Sequence, residues 1–399
     1  GGITEANYVA ARYNEATFSW SNGTTNDVDK VNKIIGEPGA GTFLENVNFI
    51  DGDYTAGDNS SNNPFGTPRI FYSRINGAAA GTGLWSDPNT WSYTDNNGTA
   101  NTGGAIPGIN DIVVIAGKDS VTLATNNTVA NTDVRSCASL QIETGSALDI
   151  GYNPASSFGM VLSHPNGNGN FRVTTSYTSG STFTFPSGDF SDFNKNLGTT
   201  ELYSTNPVAG TTYWLPNGVT SYGNLILSPL GGSNIIFPNN DLTIYGNLIT
   251  RGQNADSWFC PTWNTNYPLP PTARVAKTIT ILGSLDIQGG ALIWFGNGTI
   301  AQDFVVYGDV KVGPNSALYV YGGATNQHLS IGGSLINNGS GITAGGTSTP
   351  CKADFSLIPL TFFGNTSATI SNSVNTPLTI FNTVTVNKGT SQATTLTLN

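Results

Sequence analysis

Ionisable side chains are scarce in this chain. Of its 399 residues only 10% are Asp, Glu, Lys or Arg, against about 25% in an ordinary soluble domain. The two histidines, His164 and His328, have no partner at metal-ligand spacing, so neither a zinc centre nor a Ser-His-Asp triad is expected. Lys and Arg number 15 against 25 Asp and Glu, a net charge of −10. That leaves no basic stripe for nucleic acid. No apolar run reaches the roughly 18 residues of a membrane-spanning helix. No glycine-rich phrase ends in Lys-Ser/Thr ahead of a helix, which excludes a phosphate-cradling loop. With no signal peptide, no initiator methionine and a single methionine, Met160, the chain reads as a processed or truncated piece of something longer. No cofactor and no metal site are expected.

What is abundant points in one direction. Glycine (49 residues), Asn, Ser and Thr make a mixture suited to β-rich surfaces, where turns take Gly and Asn and exposed strand positions take Thr. One phrase, apolar-x-apolar-x-Gly-x-apolar, recurs around Gly223, Gly246, Gly283, Gly308 and Gly333, at spacings of 23, 37, 25 and 25 residues. A sixth copy, Leu378 to Val386, has Asn382 in the place of the glycine. A unit of about 20–30 residues with alternating strands cannot bury its own apolar face and must stack on a copy of itself. The fold expected is therefore all-β, a parallel β-helix. Residues 1–68 read as an irregular β segment that could end a preceding domain, residues 69–150 as the start of the solenoid, and residues 151–399 as its repeats. Loop insertions are expected at 251–277 and 338–356, and no convincing amphipathic helix is found.

Three cysteines leave at least one unpaired. Both insertions begin about four residues past a repeat glycine, so they leave the rod at the same corner, three coils apart. At about 4.8 Å per coil the separation is about 14 Å, which two long loops can bridge. A Cys260–Cys351 disulfide is expected on this ground, two buried thiols being the alternative. The first insertion carries Trp258, Trp263 and Tyr267 among Asn, Thr and Pro. Such rings suit sugar faces, and equally suit packing on the flank of the rod.

A denser motif precedes the repeats. Trp85-Ser-Asp-Pro-Asn-Thr-Trp91 sets two indoles across a turn, as a cap for the open end of a solenoid core. Pro107-Gly-Ile-Asn-Asp111 launches the buried strand Ile112–Ile115, and Val121-Thr-Leu123 and Leu140-Gln-Ile142-Glu-Thr-Gly145-Ser-Ala-Leu148-Asp-Ile150 follow with period two. This series resembles a G8-type domain, found in large cell-surface proteins ahead of a parallel β-helix. With Phe71-Tyr72-Ser73 upstream it is similar to the version common in giant exported surface proteins of Bacteroidetes. Tyr222-Gly-Asn-Leu-Ile-Leu227, Leu360-Thr-Phe-Phe-Gly-Asn-Thr-Ser-Ala-Thr-Ile370 and Phe381-Asn-Thr-Val-Thr-Val-Asn-Lys-Gly389 resemble the coils of gliding-associated adhesins and other type IX secretion cargo. The resemblance covers residues 69–399. Two departures are the missing C-terminal sorting domain and Asn382. It implies an extracellular location on the surface of a Gram-negative bacterium, with the type IX translocon and its outer-membrane shuttle proteins as partners. It also implies an O-glycan on Ser120, within Asp119-Ser120-Val121; a plain strand-edge serine is the alternative.

The function expected is structural and adhesive: a non-catalytic rod that presents loop-borne aromatics to glycans or other surfaces. The alternative is a polysaccharide-binding or polysaccharide-cleaving β-helix, which would need ionisable groups stacked on adjacent coils. On the glycine phase only Asp286 and Lys311 stack in this way; Asp241 and Asp303 share a phase but not adjacent coils. Asp87 and Asp111 are read as turn caps, and Asp51, Asp53 and Asp58 as a solvated turn with calcium as the alternative. An ice- or mineral-binding face would need an unbroken threonine ladder, and Thr243 and Thr280 are followed by Val305 and Ser330.

Overall fold

Regular alternation of apolar and polar residues, interrupted every few positions by Gly, Asn or Pro, makes short strands that cannot form a closed sheet locally. A computed structural model shows how they close. It describes residues 69–75, 81–101, 104–123, 135–153, 155–160, 168–175, 180–183, 185–204, 210–230, 232–252, 257–262, 275–289, 291–295, 301–320, 326–338, 354–355, 358–372, 379–390 and 393–399. It also describes the short strands Tyr8–Asn14, Ser19–Asn22, Val28–Asp29, Ile34–Ile35 and Asp53–Asp58.

The chain is a parallel β-solenoid, and its turns are counted on one long sheet. Twelve strands stack there in sequence order, from Thr82–Leu84 at one end through Leu248–Arg251 to Leu396–Leu398 at the other. Every neighbouring pair is parallel. Through most of the repeat region a turn leaves this sheet and adds a strand to a six-stranded sheet (Ser181–Thr182 to Ala317–Val320). It then adds one to a seven-stranded sheet (Ser221–Tyr222 to Val384–Lys388) and returns. The last turns instead pair Asp354–Phe355 with Ile380–Phe381 in a sheet separate from the six-stranded one. A five-stranded sheet, containing Ile70–Ser73, Trp91–Ser92 and Ile112–Ile115, occupies the first turns. Residues 8–14, 19–22 and 53–58 form a separate antiparallel sheet. Helix is nearly absent among the described residues: one α-helix, α1 (Ser191–Lys195), and a single 3-10 turn. No described helix is long and apolar enough to cross a membrane.

The core is a set of side-chain columns running along the axis. On the long sheet Leu225, Leu248, Leu285, Val310, Leu335 and Ile370 lie in register, as do Ile244, Ile281, Val306, Ile331 and Phe362 on the seven-stranded sheet. All are buried, each contributing about 1.5–3 kcal/mol. At the first end Trp85 and Trp91 are fully buried and meet edge to face at 5.2 Å. The Trp91 indole donates to the Trp85 carbonyl (2.9 Å), and Trp85 also packs on Phe158. The pair closes the core as expected. At the other end the inward columns stand open: Val386 is 55% and Leu398 74% exposed, where Phe362 and Ile370 one rung earlier are buried.

The repeat glycines form one axial file. Gly246, Gly283, Gly308 and Gly333 each donate their N–H to the carbonyl of the glycine before, starting from Gly223, at 2.8–2.9 Å. None of the five has a positive φ. Glycine is required instead by close approach: an added Cβ at Gly308 would lie 2.6 Å from the Gly283 oxygen and 2.8 Å from its carbonyl carbon. The residue after each glycine locks the same corner. Asn224, Asn247, Ser284 and Asp309 each accept, through a side-chain oxygen, the N–H of their counterpart one turn on, at 2.8–3.1 Å. Two expectations need correction. Asn382 does not stand in the file, because Val384–Lys388 pairs with Leu360–Gly364 on the seven-stranded sheet and Asn382 sits at the preceding corner. The in-register successor of Gly333 is Gly364, which pairs in turn with Lys388, while Gly389 N donates to Gly364 O at 2.8 Å. The first insertion is also shorter than 251–277, since Ser257–Thr262 forms a rung, with a register shift after Phe259, between Asn234–Ile236 and Ala291–Phe295.

Candidate functional site

Alternation that sends Leu242, Ile244 and their successors inward sends the residues between them outward, so the seven-stranded sheet presents flat, axial rows to solvent. Next to the glycine corner runs Tyr245, Leu282, Tyr307, Gly332 and Phe363. The N–H groups of Leu282, Tyr307 and Gly332 bond to the previous turn at 2.7–2.8 Å and hold the row in line. Tyr307 is 52% and Leu282 43% exposed. Gly332 leaves a gap in which the Tyr307 and Phe363 rings meet at right angles, 5.1 Å apart. The middle row is Ser221, Thr243, Thr280, Val305, Ser330, Thr361 and Thr385. Its threonine array is broken at Val305, as the sequence indicated. The third row holds Asp241, Thr278, Asp303 and His328. Asp241 accepts the Thr278 N–H at 2.7 Å, and His328 bonds Thr361 at 2.9 Å with Asp303 at 3.7 Å. No lysine or arginine stands in the three rows.

At the head of this face, where Ser221–Tyr222 begins the sheet, a cleft of about 340 Å³ opens. Phe185 and Phe190 form an edge-to-face wall at 4.8 Å. Asp189, Ser191, Asn194, Thr220 and Ser221 supply its polar lining. Helix α1 is held there by Asn194, which donates to the Ser221 carbonyl (3.0 Å) and accepts from Gly223 N (3.1 Å). Asp189 takes the Ser191 N–H at 2.9 Å, and that bond holds its carboxyl below the usual range, so it stays ionised.

The outer side of the long sheet carries an ion network that was not read from the sequence. Asp149, Arg172 and Glu201 stand in register on three adjacent turns. Arg172 bonds Asp149 through Nη1 and Glu201 through Nε, both at 2.8 Å. Tyr203 donates to Asp149 (2.8 Å) and stacks under the Arg172 guanidinium at 4.6 Å, and Ser228 donates to Glu201 (2.6 Å). Burial raises the Asp149 carboxyl above its ordinary value, opposed by Arg172 and the bonds from Gly151 and Tyr203. Burial likewise raises the Tyr203 phenol, helped by Asp149. The expectation that only Asp286 and Lys311 stack on adjacent turns is therefore corrected. The glycine file that supplied the phase starts at Gly223, and the network lies before it.

Asp286 and Lys311 do face each other in register, but Lys311 reaches Asp309 at 3.8 Å while Asp286 accepts from Gln288. Asp241 and Asp303 flank Thr278, one turn from each. Asp87 caps the turn through Asn89 N (2.9 Å). Asp111 takes Gly108 N and both Nε and Nη2 of Arg69, a two-point clamp at 3.0 and 2.8 Å. Ser120 is half-buried at the start of the next-to-last strand of the long sheet, paired on both sides, and Asp119 beside it is fully buried and accepts the Ile75 N–H. Trp258 and Cys260 lie on the rung Ser257–Thr262, in register with Leu292 and Ile236. Their side chains, and Trp263, Tyr267 and Cys351 altogether, lie outside the described residues, as does any Cys260–Cys351 bond. Cys137 is buried and free, its thiol raised by desolvation. Asp51 is also outside the described residues. Asp53 and Asp58 stand at the two ends of one strand where a turn was expected; their side chains lie outside the described residues. Comparison with protein-family models, curated proteins and solved structures found no match.

Proposed function

We propose that the protein is a non-catalytic, exported β-helix rod that makes adhesive contacts on a bacterial surface as type IX secretion cargo. The observation that carries the adhesive part is the outward side of the seven-stranded sheet. Its rows of Tyr, Leu and Phe beside Ser and Thr run for several turns, on a rigid scaffold, with the rings available to a partner. Leu282 and Tyr307 are exposed side by side, with Tyr245 and Phe363 half-buried at either end of the row, and an apolar patch of this kind suits a contact surface. Scarce charge and abundant Thr and Asn suit an extracellular medium, and the motif between Phe71 and Ile150 supports the export route. Beads coated with the protein are expected to adhere to polysaccharide-coated or bacterial surfaces, and a variant with Tyr245, Leu282 and Tyr307 all changed to Ser is expected to lose most of that adhesion. Equal adhesion by the triple variant would refute the assignment of the face. For export, disabling the type IX translocon in the source cell is expected to hold the protein in the periplasm; unchanged surface display would refute that route.

The Asp149–Arg172–Glu201 network favours a second reading, a polysaccharide-cleaving β-helix. Stacked acids and a base on adjacent turns are what such an enzyme needs. Against it, each carboxylate here is already bonded to Arg172 and to a hydroxyl. Release of reducing ends or of unsaturated products from alginate, pectate or a neutral glucan, abolished in Asp149→Asn, would establish this reading over the first.

A further inference from the structure

Resting on the adhesive reading of the seven-stranded face, we infer that its ligand is a neutral polysaccharide. One pyranose seats in the cleft beside Phe185 and Phe190, and the chain continues along the face. The cleft falls in the size range of small-ligand sites and combines the groups that recognise a sugar. The half-buried Phe185 offers the exposed part of its ring to sugar C–H groups, backed by the buried Phe190. The ionised, exposed Asp189 carboxylate offers acceptors for ring hydroxyls, with charge-assisted hydrogen bonds about twice as strong as neutral ones. Ser191, Thr220 and Ser221 add donors and acceptors at the rim.

The path out of the cleft is set by register. Ser221 lines the cleft and is also the first residue of the hydroxyl row that continues through Thr243 and Thr280. Beside that row the rings of Tyr245 and Tyr307 repeat with the turns. The rungs are spaced about 4.8 Å apart, close to the length of one pyranose in an extended β-linked chain, so successive sugars meet successive rungs. Charge selects the class of polymer. The three rows hold Asp241 and Asp303 and no Lys or Arg, and the cleft adds Asp189, with Lys195 of α1 close enough for its charge to act on that carboxylate, on a chain of net charge −10. A uronate, sulfated or phosphorylated polymer would find repulsion along the rows and, at the cleft, a lysine already matched by Asp189.

The test is affinity electrophoresis of the intact chain in gels containing a soluble β-glucan, a galactomannan, alginate or hyaluronate. Retardation by at least one neutral polymer and by neither anionic one is expected. Asp189→Asn keeps the bond to Ser191 N and removes the charge, so it should weaken binding about tenfold. Tyr307→Ala, on an exposed ring, should weaken it about fivefold. Both should keep the wild-type circular dichroism melt, which separates lost binding from lost folding. Wild-type mobility unchanged by every neutral polymer, equal retardation by alginate, or wild-type binding by both variants would each overturn the proposal. The bead assay separates this failure from failure of the adhesive reading. Beads that adhere equally in wild type, Asp189→Asn and Tyr307→Ala sink the sugar subsite and leave the adhesive rod. Beads that never adhere, from a protein that is retarded by glucan, sink the rod's adhesive role and leave the subsite.

Discussion

Replacing Gly308 by Ala tests whether the corner file is held by contact or by backbone freedom. Gly308 has no positive φ, so alanine meets no conformational penalty of its own. Were space also free, the smaller entropy of the unfolded chain would make Gly308→Ala stabilising by about 0.4–1 kcal/mol. The structure gives the opposite sign. The new methyl would lie 2.6 Å from the Gly283 oxygen and 2.6 Å from Ser284 Oγ, and the backbone partner cannot rotate away. Two rungs must separate locally. Overpacking of this kind costs about 1–3 kcal/mol, and the shift weakens the bonds from Gly308 N to Gly283 O (2.8 Å) and Asp309 N to Ser284 Oγ (3.1 Å), about 1 kcal/mol each. A net destabilisation of about 2–4 kcal/mol is expected. Gly210→Ala is the contrast: its φ is +77° with nothing within 4 Å, so only the left-handed conformation costs, about 1 kcal/mol. Urea unfolding gives the overall change. Because a solenoid can open piecewise, amide exchange along Lys277–Ile281, Leu285–Gln288 and Gln302–Val306 should report the local loosening. A Gly308→Ala protein as stable as wild type, with unchanged exchange there, would refute the close-approach argument.

Arg172→Met should destabilise by about 2–3 kcal/mol, because it leaves Asp149 and Glu201 without their shared cation; a melt unchanged from wild type would show the network to be solvated. The network also predicts a pH dependence. Burial raises Asp149 above its unfolded value near 3.8, so the folded state keeps a proton that the unfolded chain releases. Its contribution is then fully present below that value and is lost as pH rises through the raised one. The stability of wild type minus that of Asp149→Asn should therefore fall with rising pH across the acid range and then level off, and a difference that grows with pH would contradict the assignment. Trp85→Ala should cost about 3–5 kcal/mol, with faster amide exchange confined to the strands 70–73, 112–115 and 136–142; uniform loosening of the whole rod would show that the indole pair is not an end cap.

Much of the fold was legible because one period runs through the repeat region. The glycines from 223 to 333 mark the same corner on each turn, and from Gly246 on the apolar residues two and four places before them become the inward columns. The end cap was legible too, since two tryptophans across a proline turn have few other uses. The residues following the glycines were in view but unread: Asn224, Asn247, Ser284 and Asp309 are small and polar in every copy, the signal of a side-chain-to-backbone ladder. The outward row of Tyr245, Leu282, Tyr307 and Phe363 was hidden by Gly332, which looks like a break until the rings on either side are seen to meet across it.

By itself the chain's composition and spacing determined that turns stack, where they bend and which side chains face inward, because those properties follow from a local pattern repeated at a nearly constant interval. Only the tertiary structure decided which glycines need closeness and not a left-handed backbone, which turn Asn382 belongs to, and that Asp149, Arg172 and Glu201 meet. These are contacts between distant positions, 23 residues apart for Asp149 and Arg172 and 29 for Arg172 and Glu201, set by the length of each intervening loop. Loop length varies without leaving a mark on the strands at either end, so register across it exists only once the rungs have packed.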